Sequence, residues 1–266
     1  VLRLYTQHQQ ACLKEFNLFK ALRETVPMAE IVFMEPEPTK FGFPYSVLKW
    51  VDGVLLDTVI GGKDERVIGE FARDIGRKLA AIGTYRFEQP GLIGQNLEME
   101  VPFGSTADSW RSFIRRCLFE GQAGRHLGEV WTERLWQFVE EKVGLVADLT
   151  RVNSLVHADF KGSNILVREA AGEWGVAAVL DWEFAYAGSF LSDIGTLLRY
   201  RRRFNPVFAP NFRVGFEEQG GKLPEEWQRA ADWLDLLNLC DFLNRPHLNE
   251  LMKQEIIQLV SNILES

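Results

Sequence analysis

Cysteine is scarce in this chain of 266 residues: Cys12, Cys117 and Cys240 are the three it has, and they lie far apart in apolar surroundings. With no C-x-x-C pair and no His at ligand spacing, they read as buried thiols of a reducing compartment, which excludes a disulfide framework and a structural zinc. Long apolar runs are missing as well. No stretch approaches the ~18 residues that span a bilayer, and no basic start leads into an apolar signal-peptide core; a cytoplasmic protein without a membrane partner is expected. Positive charge is in deficit, 30 Lys and Arg against 37 Asp and Glu for a net charge of −7. Such a balance argues against a nucleic-acid partner, because phosphate backbones call for a basic face. Internal repeats, low-complexity tracts and heptads are absent. The hydrophobic content of 46% suffices for one large domain or for two lobes sharing a core.

What the chain does have is a polar loop set between apolar strands, LVHADFKGSNIL from Leu155 to Leu166. A further strand, Val176 to Leu180, ends abruptly on Asp181, Trp182 and Glu183, so two carboxylates arrive at the tip of a run that should be buried. Buried charge needs a partner. The spacing of His157, Asp159 and Asn164, followed by an apolar strand and Asp181, is that of a kinase catalytic loop and its metal-binding Asp. Metal-dependent hydrolysis is the competing use of a His and Asp pair. His157 and Asp159 supply too few ligands for it, and His8, His126 and His247 sit in unrelated segments.

With these residues in place, the chain resembles the aminoglycoside phosphotransferase and choline kinase-like family, which has a protein-kinase-like fold. The segment VLDWEFAYAGSFLSDIG resembles it most, since Asp-x-Glu stands there for the Asp-Phe-Gly of protein kinases. The resemblance implies an α+β, two-lobed fold. A small, N-terminally truncated lobe of sheet plus helix spans 1–52, and a mainly helical lobe with the catalytic loop and metal-binding segment spans 53–266. It implies transfer of the γ-phosphoryl group of ATP, or GTP, with Mg²⁺, to the hydroxyl of a small molecule. The alternative is a catalytically weak or inert kinase-like nucleotide-binding protein, suggested by an Arg in place of the expected Lys.

Roles follow by position. Asp159 is the candidate base or orienter of the acceptor, and Lys161 the cation reaching the transferred group. Asn164 and Asp181 are the candidate Mg²⁺ ligands, with Glu183 adding a water-mediated contact or facing the substrate. Hard oxygen donors of this kind suit a cation that keeps several waters and bridges phosphates. His157 is expected to be structural, and Asp193 to brace the backbone of the catalytic loop. On the nucleotide side, Arg3 stands where the family has a phosphate-contacting Lys, and Glu15 where its helix partner lies. Lys49, Trp50 and Val51 resemble the hinge whose backbone reads the base edge. In the family, a hairpin over the phosphates would precede residue 1.

Periodicity supplies the rest. Val1–Tyr5, Ile31–Met34 and Pro44–Val51 read as strands. Gln9–Glu24 reads as a helix with the stripe Cys12, Leu13, Phe16, Phe19 and Leu22. Helices are expected at Asp64–Gly83, Ala107–Glu120, Glu129–Leu149 (with Val143 and Val146 inward), Leu191–Tyr200, Pro224–Asn244 and Leu248–Leu264. Gln89–Thr106, rich in Pro and Gly, reads as a loop. Arg199, Arg201, Arg202 and Arg203 read as a solvated run matched to a helix C-terminus.

Overall fold

The computed structural model describes residues 1–104, 106–149, 152–201 and 204–265. Arg202, Arg203 and the Val146 side chain lie outside the described residues. In chain order the elements are β1 (Leu2–Leu4), α1 (Ala11–Leu22), β2 (Ile31–Glu35), β3 (Tyr45–Leu48), β4 (Val54–Leu55), α2 (Leu56–Val59) and α3 (Glu65–Ile82). They continue with β5 (Gly91–Ile93), β6 (Met99–Pro102), α4 (Ala107–Arg115), α5 (Ala123–Leu127), α6 (Glu129–Leu149) and β7 (Ser154–Val156). The last are β8 (Ile165–Ala170), β9 (Glu173–Val179), β10 (Tyr186–Gly188), α7 (Leu191–Leu198), α8 (Phe208–Glu218), α9 (Trp227–Leu243) and α10 (Glu250–Leu264). Two compact units result, one of Val1–Pro102 with Asn153–Leu223, the other of Phe103–Val152 with Pro224–Ser266. The 52/53 boundary expected from the sequence falls inside the first unit.

In the first unit, β1, β3 and β2 form an antiparallel sheet in that order. Alternation along β1 leaves Leu2 and Leu4 exposed and turns Arg3 to the other face. Helix α1 buries Ala11, Cys12, Glu15, Leu18, Phe19 and Leu22. The expected stripe is thus shifted: Leu13 and Phe16 are only half-buried, and the carboxylate of Glu15 takes a place in the inward face. Apolar periodicity cannot signal that change, because the residue concerned is charged.

Helix α3 starts at Asp64, whose side chain accepts the Val67 N–H at 2.9 Å. It buries Val67, Ile68, Phe71, Ile75 and Leu79 as the spacing predicts. Two carboxylates one turn apart on it, Glu70 and Asp74, accept the N–H groups of Trp174 and Val176 at 3.0 and 2.8 Å. The outer strand of the sheet β4-β8-β9 is thereby closed by a helix instead of by another strand.

Where the sequence reads as a loop, Gln89–Thr106, the structure has β5 and β6 of the antiparallel sheet β6-β5-β10-β7, with β6 at the edge and β5 paired on both sides. β6 is half-buried at its first residue and exposed at the others, and ends on Pro102, so it lacks the apolar alternation of a covered strand. Helix α8, without a counterpart in the sequence reading, buries Phe208, Phe212, Gly215 and Phe216 against α3.

In the second unit the helix expected over Ala107–Glu120 is interrupted: α4 runs to Arg115 and a π-helical turn, Arg116–Glu120, follows. The turn ends at Gly121 beside Asn244, whose side-chain oxygen accepts the Gln122 N–H at 2.8 Å. α6 and α9 stack Phe138 on Trp233, with ring centroids 4.5 Å apart. Among the described residues no helix is long and apolar enough to cross a membrane.

Two glycines let α3 and α8 approach closely. A Cβ at Gly76 would meet the backbone of Phe212 and Phe216, and one at Gly215 the backbone of Arg73. Gly to Ala inside a helix ordinarily stabilises by about 1 kcal/mol. At Gly215 the contact reverses the sign: Gly215→Ala should destabilise by roughly 1–3 kcal/mol, the usual cost of overpacking. Thermal unfolding checks this, with a Tm below that of the wild type expected and a raised Tm contradicting the packing.

Candidate active site

The loop between β7 and β8 is built from hydrogen bonds to its own backbone. Asp193, fully buried at the start of α7, accepts the His157 N–H at 2.7 Å on one oxygen and the Ala158 N–H at 2.9 Å on the other. Burial pushes the Asp193 carboxyl up to about 7, against the pull of those two N–H donors. Ala158 is held at φ 73°, a left-handed conformation that side chains rarely adopt. His157 is also fully buried. Its Nδ1 accepts the Asp159 N–H at 3.2 Å, so its Nε2 carries the hydrogen given to the Leu180 carbonyl at 2.9 Å. That carbonyl belongs to the residue before Asp181, so the ring couples the two polar segments.

Asp159 is then oriented from both sides. Asn164 donates its Nδ2 to Oδ2 at 2.8 Å and to the Asp159 carbonyl at 3.0 Å, while Lys161 Nζ stands 2.9 Å from Oδ1. A short 3₁₀ turn, Gly162–Asn164, brings Asn164 back toward Asp159. Gly162 is required there for space, since a side chain would run into Asp57. Asn164 and Leu180 are joined through the backbone, Leu180 N–H to Asn164 carbonyl, at 2.9 Å.

Asp181 follows at φ 66°, the second left-handed residue of the site, and meets the one cation that the small sheet turns inward. Arg3 Nη2 lies 2.6 Å from Asp181 Oδ1, 3.1 Å from Glu15 Oε1 and 3.7 Å from Glu183 Oε2. Glu15, 4% exposed, also accepts the Trp182 N–H at 3.0 Å on Oε1 and the Tyr5 hydroxyl at 2.6 Å on Oε2. Burial pushes Glu15 up, opposed by Arg3 and then by Tyr5; burial alone would lower Arg3, but Glu15 and Asp181 raise it. On the same helix, Lys14 donates to the Ala185 carbonyl at 2.8 Å and pins the chain just after Glu183.

Arg3, Glu15 and Asp181 form the polar end of a cavity of about 560 Å³. Its other walls are apolar, among them Leu48, Val51, Leu166 and Val179. Lys49 and Trp50 stand at its edge: Lys49 pairs with Glu30 at 2.6 Å, and the exposed Trp50 donates its indole N–H to Asp52 at 3.0 Å. The candidate residues of the catalytic loop and the metal-binding segment, with Arg3, Glu15 and Asp193, thus fall into two connected clusters, and Lys49, Trp50 and Val51 line the cavity beside them. The sequence reading missed Tyr5, Ser46 and Lys14, and the backbone of Trp182. Only for Tyr5 was a signal present, its place two residues after Arg3 on one strand face.

A family model decides what the arrangement belongs to: the phosphotransferase enzyme family matches over residues 1–233. The chain is a member of that family. Among solved structures, aminoglycoside phosphotransferase APH(2'')-IIIa, as a complex with GDP and kanamycin, is similar with a TM-score of 0.71 at 15% identity, over 99% of this chain and 84% of that one. A thermostable mutant of aminoglycoside phosphotransferase APH(4)-Ia, with ADP and hygromycin B, gives 0.68 at 16% identity, over 99% and 85%. A Ralstonia eutropha JMP134 protein provisionally assigned to the aminoglycoside phosphotransferases gives 0.65 at 16%, over 99% and 83%. No curated protein matches the chain in sequence. At these identities the structural likeness is one of fold, and it is the mixed α+β, kinase-like fold that the sequence resemblance implies. Membership in the phosphotransferase enzyme family makes the chain an enzyme that transfers phosphoryl groups.

The buried His157 gives the pairing of loop and strand end a pH signature. Burial lowers its pKa from 6.5 to about 4 in the folded protein. A depressed folded value means stability that is whole above 6.5 and is lost as pH falls through 4, on the order of 3 kcal/mol at 1.36 kcal/mol per unit. Asp193, raised from 3.8 to about 7, slopes the other way: its contribution is whole below 3.8 and gone above 7. His157→Gln keeps Asp193 and its backbone donors, so the comparison isolates the imidazole. The stability gap between wild type and variant should be wider at pH 7.5 than at pH 4. A gap of the same size at both values, in thermal unfolding, contradicts a neutral buried His157.

Proposed function

We propose that this chain transfers the γ-phosphoryl group of ATP or GTP to a hydroxyl of a small molecule, with Asp159 and Asp181 as the two acidic centres of the reaction. The observation that carries the reading is the coupling of those centres. Asp181 lines the polar end of an apolar cavity, and its neighbour Leu180 is tied both to His157 and to Asn164, which orients Asp159. Apolar walls suit the faces of a nucleotide base, and a charged end suits its phosphates. Residues 1–52 would then be the nucleotide-side lobe and 53–266 the helical lobe with the catalytic loop.

Phosphoryl transfer asks for in-line positioning and for neutralisation of the phosphate oxygens. In this reading Asp159 accepts the hydrogen of the acceptor hydroxyl, held in orientation by Asn164 and Lys161. Lys161 balances charge on the group in transit, Arg3 pairs with phosphate oxygens, and the backbone of Lys49, Trp50 and Val51 holds the base edge. His157 and Asp193 keep the loop in its strained shape and touch no substrate.

The donor set fits Mg²⁺. Among the described residues no group of three or more His, Cys, Asp or Glu forms a metal centre. Asn164, whose amide nitrogen is committed to Asp159, offers its oxygen, and Asp181 offers a carboxylate, with Glu183 as a further oxygen donor. Few protein oxygens completed by water and phosphate are what Mg²⁺ takes. Within the ion-paired cluster, one guanidinium faces three carboxylates, a surplus of negative charge that a divalent cation offsets. Bound there, Mg²⁺ would neutralise and align the phosphate oxygens.

Complexes of the relatives with kanamycin and hygromycin B make aminoglycosides the first acceptors to try. The three buried free thiols support a reducing, cytoplasmic setting. Turnover with Mg²⁺ and ATP or GTP, across aminoglycosides, amino alcohols, sugars and nucleosides, is the test. Asp159→Asn should lower kcat by about 10²- to 10⁴-fold. Product formed equally well by Asp159→Asn overturns the role of Asp159, and nucleotide binding without turnover on any acceptor overturns the kinase reading.

A further inference from the structure

We propose that Tyr5 is a positioning residue for the phosphate end of the nucleotide, fixing Glu15 with its hydroxyl and supporting Arg3 with its ring. The inference rests on the phosphotransfer reading above, in which Arg3 serves the phosphates. Tyr5 touches both members of the ion pair. Its hydroxyl lies 2.6 Å from Glu15 Oε2, and the Arg3 guanidinium carbon is 5.1 Å from its ring centroid. Ser46, buried on β3, holds the same hydroxyl from the other side at 3.1 Å.

The hydroxyl matters because Arg3 does not satisfy Glu15 alone. Arg3 Nη2 and the Trp182 N–H both address Oε1, and the same Nη2 is drawn closer to Asp181, at 2.6 Å against 3.1 Å to Glu15. Without Tyr5, Oε2 would be a buried acceptor with no donor, which costs its full desolvation. The carboxylate would then turn or take up a proton, and Arg3 would be left to Asp181 and Glu183, the oxygen donors suited to the cation. Tyr5 therefore sets how Arg3 is shared between the buried anchor on α1 and the reactive end of the cavity. A phenol that merely filled the core would leave that sharing unchanged.

Tyr5→Phe keeps the ring and removes only the hydroxyl. The test is calorimetric titration of the whole chain with two probes, Mg²⁺·AMP-PNP and adenosine, which differ in the phosphates. Tyr5→Phe should weaken Mg²⁺·AMP-PNP about tenfold, equivalent to roughly 1.4 kcal/mol, and leave adenosine affinity unchanged; Tyr5→Leu, lacking the ring too, should weaken it further. Equal affinity of wild type and Tyr5→Phe for Mg²⁺·AMP-PNP overturns the inference, and so does equal weakening of both probes. Should Tyr5→Phe not fold, Ser46→Ala, which releases the hydroxyl from its other side, must show the same selective loss, and its absence overturns the inference. Wild-type protein that binds neither this pair nor the guanine pair, Mg²⁺·GMP-PNP and guanosine, refutes the phosphotransfer reading itself; if only the guanine pair binds, the same comparison is made with it, and wild type that binds both members of a pair, with a variant that binds identically, refutes Tyr5 alone.

Discussion

Arg3 is the cation on which three carboxylates from separate parts of the chain depend, and the shape of the site follows from that shortage. Glu15 comes from α1, and Asp181 and Glu183 follow β9, 178 positions beyond Arg3 in the case of Asp181. Taking Glu15 out of water is costly unless both of its oxygens find donors. The structure supplies them from Arg3, from the Trp182 backbone and from Tyr5. A strand, a helix and the segment after β9 are thereby fixed to one another by charge. The ion pairs of Arg3 still leave negative charge in excess.

The loop between β7 and β8 answers a second constraint, leaving Asp159 partly accessible while His157 and Phe160 are buried. Backbone strain is the means. Ala158 and Asp181 both sit in the left-handed region, and conformations of that kind cost on the order of 1 kcal/mol or more and persist only where surroundings impose them. For Ala158 the imposing group is Asp193, whose two oxygens take two successive N–H groups. His157, neutral and without solvent contact, ties that loop to the turn at Asp181. Asp159 and Asp181 are thus each placed through a buried residue, Asp193 for the first and His157 for the second.

Much of this could be read from the residues, and the parts that could not have physical reasons. The pattern His157, Asp159, Asn164 and Asp181 was informative because a polar loop between buried strands is expensive unless it has a use. The pairing of Arg3 with Glu15 could be anticipated only through the family resemblance, and the structure brings them to 3.1 Å. Periodicity failed where burial was not apolar, as at Glu15 in α1, where a strand was only three residues long, as in β5, or where it lay exposed at an edge, as in β6. For α8 the signal was present, Phe208, Phe212 and Phe216 at helical spacing, and it was masked by Pro206 and Pro210, which read as breakers although Pro210 lies in the first turn, where proline is tolerated. Tyr5 escaped notice because a strand tyrosine gives no sign of where its hydroxyl ends.

The central claim is that Asp181 and the catalytic loop act together on a metal-bound nucleotide, and Mg²⁺ linkage of nucleotide affinity tests it most directly. AMP-PNP affinity would be measured with and without Mg²⁺ for the wild type and for Asp181→Asn. The account predicts that Mg²⁺ strengthens binding to the wild type about tenfold or more, the scale of a coupling of 1–3 kcal/mol, and that Asp181→Asn loses this gain. An Asp181→Asn protein that responds to Mg²⁺ as the wild type does would contradict it.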